Sequence, residues 1–290
     1  MTVSREIIND VLNTILKLRN ENSPNSYISI KNTLKLFSIP VPAISIPKGK
    51  SLYRIRLHTK EESNSLFERI SDFGHRVDLN SIRNFGRANE PFQSIFYCSD
   101  SPKTAFCETS KLVRNNENDK MEVSSLSIWK TTKDLNVAYL PKDGDYFGND
   151  NVEFLNRNIN ESFTAFNHEE SNNLKHFINT IANEFATDSS EKDFNYLLTC
   201  AFANYIYETP MSSMTMKKIG IDGIAYPSVQ LRTEGVNFAL KPELVTNKDI
   251  ILQKVISRKM ELVSENTYAE IATVVSKMID YDSDLWRVVW

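Results

Sequence analysis

At 290 residues, with 41% hydrophobic and 24% charged side chains, the chain can bury a sizeable core as one large domain or two small ones. A net charge of −3 provides no broad basic surface, which argues against nucleic acid as a direct partner. Cys98, Cys107 and Cys200 lack paired spacing, the four histidines are scattered, and no apolar run reaches the roughly 20 residues of a membrane span. Reduced thiols, no metal and a cytoplasmic setting are therefore expected, with no membrane contact.

In chain order, residues 4–20 carry Ile7, Ile8, Val11, Leu12, Ile15 and Leu16 at helical spacing. A second short helix is predicted over Ser29 to Phe37, before Pro40 and Pro42 make an extended connector. Residues 1–48 read as a helical N-terminal extension. Ser51 to Leu57 is the first strand, with Leu52, Arg54 and Arg56 on one face and Tyr53, Ile55 and Leu57 on the other. Two arginines on one strand face admit two readings: a solvent face, or a face that reads an anion through the guanidinium fork. His58 and His75 fall in the mixed, charged segment around it and are expected at the surface or in loops.

Residues 84–108 carry the densest signal. A Gly86-Arg87 loop precedes a short buried strand, Ser94 to Ser99, and Ser101-Pro102 reads as the cap and first turn of a helix. Strand, turn and helix bring Arg87, Tyr97 and Glu108 within mutual reach. Ala105, Phe106, Leu112 and Val113 set the apolar stripe of that helix, and Glu108 lies about a quarter turn from its centre. A carboxylate there can be solvated or can face a site.

Strands are predicted over Met121 to Trp129 and Leu135 to Leu140. The Asn-rich stretch 144–173 reads as a loop insertion. Leu174 to Ala186 and Asp193 to Tyr207 are the two firmest helices, with His176 at the surface. Asp222-Gly223 turns into a strand that reaches Ser228, and Pro227 argues for an edge position or a bulge. Ser228 fits a structural hydroxyl as well as a functional one. Val236 to Leu240 pairs with that strand through a hairpin around Arg232 to Gly235. Residues 251–290 read as a C-terminal strand and helix extension, the helix carrying Tyr268, Ile271, Val274, Val275 and Met278, with Trp286 and Trp290 in packing roles.

Three blocks, in order, resemble the RES domain, the toxin half of Xre–RES toxin–antitoxin systems. They are Leu52-Tyr53-Arg54; Gly86-Arg87-Ala88-Asn89 with the Phe96 to Ala105 segment and Glu108; and Asp222 to Ser228. On this resemblance, residues 49–250 form the RES domain. It implies an α+β fold similar to the ADP-ribosyltransferases, a mixed sheet flanked by helices. It also implies NAD+ as substrate, cleaved at the nicotinamide–ribose bond by water or phosphate. Arg54, Arg87, Tyr97, Glu108 and Ser228 would then line the pocket, with Glu108, Arg54 and Ser228 catalytic. The same pocket would serve a mono-ADP-ribosyltransferase, and a non-catalytic NAD+-binding module is the third reading. The partners this leaves in view are an Xre-type antitoxin over the cleft and further copies of the chain, which the extra helices could mediate.

That chemistry suits these residue types. Departure of nicotinamide leaves an oxocarbenium-like ribose and a neutral leaving group, so no strong general acid is required and one carboxylate suffices. Two arginines supply fixed positive charge for a diphosphate, and a tyrosine offers a ring face.

Overall fold

Ser4 caps the first helix, α1 (Arg5–Glu21), by accepting the Ile7 N–H at 3.3 Å, and Asn22 closes it in the left-handed conformation at φ 45°. Its buried face is Ile8, Val11, Leu12 and Ile15, the spacing expected of an amphipathic helix. Helix α2 (Ser26–Phe37) buries Tyr27, Ile30 and Leu34. The structure, a computed structural model, describes all residues except 1–3, 24, 38–39, 114–119, 142–152, 154, 156, 158–159, 162, 189–194, 210, 213–217, 265–266 and 283–285. Among the described residues, no helix is long and apolar enough to cross a membrane.

The fold is α+β. Strands β1 (Ala43–Ile46), β2 (Ser51–Leu57), β3 (Phe96–Ser99), β4 (Met121–Thr131) and β5 (Leu135–Tyr139) alternate with α3 (Pro102–Thr109). Helices α4 (His168–Phe185) and α5 (Leu197–Glu208) follow, then the two-residue strands β6 (Met211–Ser212) and β7 (Lys218–Ile219). Next come β8 (Gly223–Ser228), β9 (Arg232–Leu240), β10 (Ile250–Ser264) and β11 (Thr267–Val275); β12 (Met278–Asp280) and β13 (Arg287–Val289) form a separate pair. One nine-stranded sheet runs β1-β5-β8-β9-β3-β2-β4-β10-β11, antiparallel apart from the β5–β8 pair.

The N-terminal helices belong to the main hydrophobic core, which also holds the buried faces of α4 and α5. Arg19 of α1 grips Glu184 of α4 with Nη1 at 2.8 and 2.6 Å from the two carboxylate oxygens. Lys31 and Lys35 of α2 both reach Glu208 of α5, at 2.5 and 2.9 Å.

Several expectations change. The proline-rich connector continues into β1, an edge strand registered on β5 from Ala43↔Ala138 to Ile46↔Leu135. Part of the Asn-rich stretch is helical: Glu153, Leu155, Arg157, Asn160, Glu161 and Phe163 have helical backbone, and α4 already begins at His168. Leu155 and Phe163 are buried, so two apolar side chains recruit a polar segment to the core. Residues 144–152 lie outside the described residues, as do Asp193 and Phe194 of the predicted fifth helix, which starts at Leu197. The expected C-terminal helix is strand β11, hairpin partner of β10. Lys259 pairs with Ala272 and Met260 with Glu270, so Ile271 is an inserted residue that breaks the period-two pattern and imitates helical spacing.

Candidate active site

A seam in the sheet builds the site. β2 pairs with β4 from Ser51↔Lys130 to Leu57↔Ser124, and β3 with β9 from Phe96↔Leu240 to Ser99↔Asn237. Between β2 and β3 only Tyr53↔Ser99 is in register. Beyond that pair the strands diverge, and a cavity of about 310 Å³ fills the gap. Three consecutive residues of β2 (Tyr53, Arg54, Ile55) and three of β3 (Tyr97, Cys98, Ser99) line it. Neighbouring strand residues point to opposite faces, so both can border one space only where the sheet is open.

Helix α3 carries the carboxylate to this gap. Ser101 accepts the Thr104 N–H at 3.0 Å and Pro102 occupies the first turn, as the sequence predicts. Glu108, on the last turn, lines the cavity. Its Oε1 accepts from the Ser228 hydroxyl at 2.5 Å, the Val229 N–H at 2.7 Å and the Gln230 N–H at 3.3 Å. These donors exist because β8 ends in a register shift between Pro227 and Ser228, which is the bulge alternative for Pro227 inside the sheet rather than at its edge. The turn that follows spans Val229 to Leu231, upstream of the expected Arg232 to Gly235, and its N–H groups face Glu108.

Arg54 closes the seam from its other side. Nη1 donates to the Tyr97 carbonyl at 2.8 Å, so a β2 side chain ties the two strands together beyond their single registered pair. The guanidinium also lies 5.8 Å from the centre of the Phe96 ring. Burial lowers its pKa to about 10, with Arg76 and Arg56 adding to that direction, so Arg54 remains a cation at neutral pH.

Arg87 extends from the Gly86 loop to the C-terminal end of α4. Its Nη1 donates to the Phe185 carbonyl, and Nη1 and Nη2 both donate to the Thr187 carbonyl at 3.2 Å. Carbonyls at a helix C-terminus suit a cation. The same guanidinium stands 5.4 Å from the Tyr196 ring, and both residues line the cavity. Tyr97 fixes the loop from below: its hydroxyl accepts the Ala88 N–H at 2.9 Å and donates to Asn89 Oδ1 at 2.8 Å. Gly86 is required by close approach, since a Cβ there would sit 2.3 Å from Asn89 Oδ1. Burial pushes the phenols of Tyr97 and Tyr226 up, so both stay neutral.

Of the five residues singled out in the sequence, Arg54, Arg87, Tyr97 and Glu108 line one cavity. Ser228 does not: it is fully buried and meets the cavity only through Glu108. Arg56 points elsewhere, paired with Glu62 at 2.8 Å and stacked 3.7 Å from the centre of Phe67. Tyr53, Tyr196, Tyr226, Asn89 and Asn237 also line the cavity. Of these, Asn89 stands in the Gly86-Arg87-Ala88-Asn89 motif, while Tyr196 and Asn237 carry no local signal. Among the described residues, no group of three His, Cys, Asp or Glu side chains could hold a metal ion.

The RES domain profile matches residues 51–256, from the first residue of β2 into β10. No curated protein and no solved structure matches the chain. The matched span holds β2, the Gly86-Arg87 loop, β3, α3 and the Ser228 bulge, the same elements that surround the cavity. The chain belongs to the RES domain family.

Proposed function

We propose that this protein degrades NAD+ at the nicotinamide–ribose bond and passes the ADP-ribosyl group to water or phosphate. The observation that carries the reading is the immobilised Glu108 carboxylate on the wall of a cavity shared with two arginines and four tyrosines. Membership of the RES domain family supports NAD-related chemistry. The cavity lies at the lower end of the roughly 300–1,000 Å³ range of small-molecule sites, which suits the nicotinamide riboside end of a dinucleotide better than the whole of it.

In this reaction the C1′–N bond breaks and its electron pair goes to the pyridinium nitrogen, so nicotinamide departs neutral. An oxygen of water or phosphate then bonds to C1′ and gives up one proton. Glu108 offsets the positive charge that grows on the ribose, and its rigidity matters because no reorganisation is then needed at the moment of reaction. Tyrosine faces hold the planar ring and keep water from it. Arg54 and Arg87 supply positive potential for the diphosphate while their hydrogen bonds hold the two sides of the cleft in place.

The test is incubation of purified protein with NAD+, with and without phosphate, following nicotinamide, ADP-ribose and phosphorylated ADP-ribose by mass. Release of nicotinamide with either sugar product is expected. NAD+ bound without nicotinamide release overturns the reading in favour of a binding module. A mass gain on protein moves it to a mono-ADP-ribosyltransferase. An enzyme of this kind drains its own cell, so expression should lower cellular NAD+ and slow growth, and a protein that covers the cleft would relieve both. The Xre-type antitoxin is the partner this reading predicts.

A further inference from the structure

Behind the cavity loop lies a polar contact set back from the cavity wall. Gln93 and Asn204 face each other as paired amides: Gln93 Nε2 donates to Asn204 Oδ1 at 2.7 Å, and Asn204 Nδ2 donates to Gln93 Oε1 at 3.2 Å. Asn204 is buried in the middle of α5, where its amide nitrogen also meets the Cys200 carbonyl at 3.2 Å. Gln93 Oε1 accepts in addition the Glu90 N–H at 2.9 Å. These bonds close the turn Glu90–Gln93, in which Phe92 is held at φ 64°, a left-handed conformation unusual for an aromatic residue. Phe92 is exposed, so its side chain does not explain the conformation.

From that turn the contacts run straight to the cavity. The Asn89 amide donates to the Glu90 carbonyl at 3.1 Å and accepts from the Tyr97 hydroxyl, which in turn receives the Ala88 N–H. On the other flank Tyr27 of α2 packs 5.1 Å from Phe85. Helix α5 thus bears on the site in two ways, directly through Tyr196 at its start, which lines the cavity, and indirectly through Asn204 two turns later, which meets Gln93 behind the loop.

We infer that the Gln93–Asn204 amide pair is a positioning device that holds a strained turn and so fixes the Gly86–Asn89 loop and Tyr97 against the cavity. Neither residue touches the cavity, and both act through Asn89 and Tyr97. A reciprocal amide pair is suited to the task because each member satisfies the other's donor and acceptor, and a buried amide left half-paired is costly. The catalytic consequence rests on the NAD+ reading above; the positional one does not.

The experiment measures amide hydrogen exchange at Gly86 and Ala88, whose N–H groups bond Asn89 O and Tyr97 Oη. Gln93→Leu and Asn204→Leu should each strip protection from both amides, whereas the exchanged pair Gln93→Asn with Asn204→Gln, which keeps the combined reach, should restore it. Gln93→Glu is the second variant should a leucine variant fail to fold: it keeps an acceptor for the Glu90 N–H, sets a carboxylate oxygen against Asn204 Oδ1 in place of the donor, and should likewise strip protection from both amides. In nicotinamide release, the single variants should lower kcat by about 10- to 100-fold, with recovery in the exchanged pair. Unchanged protection at Gly86 and Ala88 in the single variants overturns the proposal, as does failure of the exchanged pair to recover it. A wild-type protein that releases no nicotinamide defeats the NAD+ reading alone, because the exchange measurement still decides the positional role.

Discussion

The Ser228 hydroxyl donates to Glu108 Oε1 at 2.5 Å while accepting the Leu231 N–H at 3.0 Å. With its acceptor capacity engaged on one side, its proton is directed at the carboxylate. Under the proposed function Ser228 is a positioning residue set back from the cavity, and Glu108, on the cavity wall, is the group that would meet substrate. Ser228→Ala should remove the hydroxyl donor to Oε1 and leave the half-buried Leu231 N–H without its Ser228 acceptor. We expect a stability loss of about 1–3 kcal/mol in chemical denaturation and slower NAD+ cleavage, with the Val229 and Gln230 N–H groups preserving part of the rate.

Glu108→Gln keeps the volume and removes the negative charge. Nicotinamide release should fall by about 100-fold or more, while the melting temperature changes little and growth inhibition on expression disappears. A variant as active as wild type would remove Glu108 from the chemistry.

Arg54→Lys separates charge from geometry. A lysine keeps one positive charge but lacks the fork that reaches the Tyr97 carbonyl across the seam. Loss of this charge-assisted bond should cost about 1.5–3 kcal/mol, and exchange of the β3 amides should rise. If the seam merely needed a cation, stability and protection would both hold.

Gly86→Ala tests the loop. Its Cβ would press on Asn89 Oδ1, the acceptor of the Tyr97 hydroxyl. Cleavage should drop by about tenfold or more, in the range that displacing a site by a fraction of an ångström produces, with the global unfolding midpoint lowered only slightly.

Glu122 gives a pH signature. It is buried on β4, where Oε2 accepts the Lys111 N–H at 2.7 Å and, among the described residues, the buried Oε1 has no hydrogen-bond partner. Burial raises its pKa above the ordinary carboxylate value, with the bonds from the Ser110–Leu112 segment opposing that shift. The folded state therefore holds the proton more tightly than the unfolded state does. The stability this adds is complete below the unfolded value and is lost as pH rises through the folded one. Glu122→Gln should raise the melting temperature at neutral pH and flatten this part of the pH–stability curve. An unchanged slope between mildly acidic and neutral pH would count against it.

Local signals in the sequence located much of this architecture. Ser101 and Pro102 announce α3, and the alternation in Ser51 to Leu57 announces β2, because caps and period-two patterns act over a few residues. The same locality explains what was hidden. Nothing near Asn204 says that it meets Gln93, 111 positions away, and nothing near Arg56 says that Glu62 and Phe67 will draw it away from Arg54. The inserted Ile271 puts Tyr268, Ile271 and Val274 three apart on an edge strand, so a bulge and a helix leave the same trace. Likewise the N–H groups that hold Glu108 belong to backbone, which no residue type advertises.

The seam has a consequence for dissecting the molecule. The polypeptide passes from one side of it to the other between β1 and β2, β2 and β3, β3 and β4, β4 and β5, and β9 and β10. Any contiguous fragment that holds the whole of one bank therefore carries strands of the other, and no truncation isolates one bank of the cleft. Under the proposed function, two pieces cut between β5 and α4 should each lack activity, because β8 and β9 would be parted from β3 and β5, and should regain it on reassembly, so the gene could be divided there into a complementation reporter.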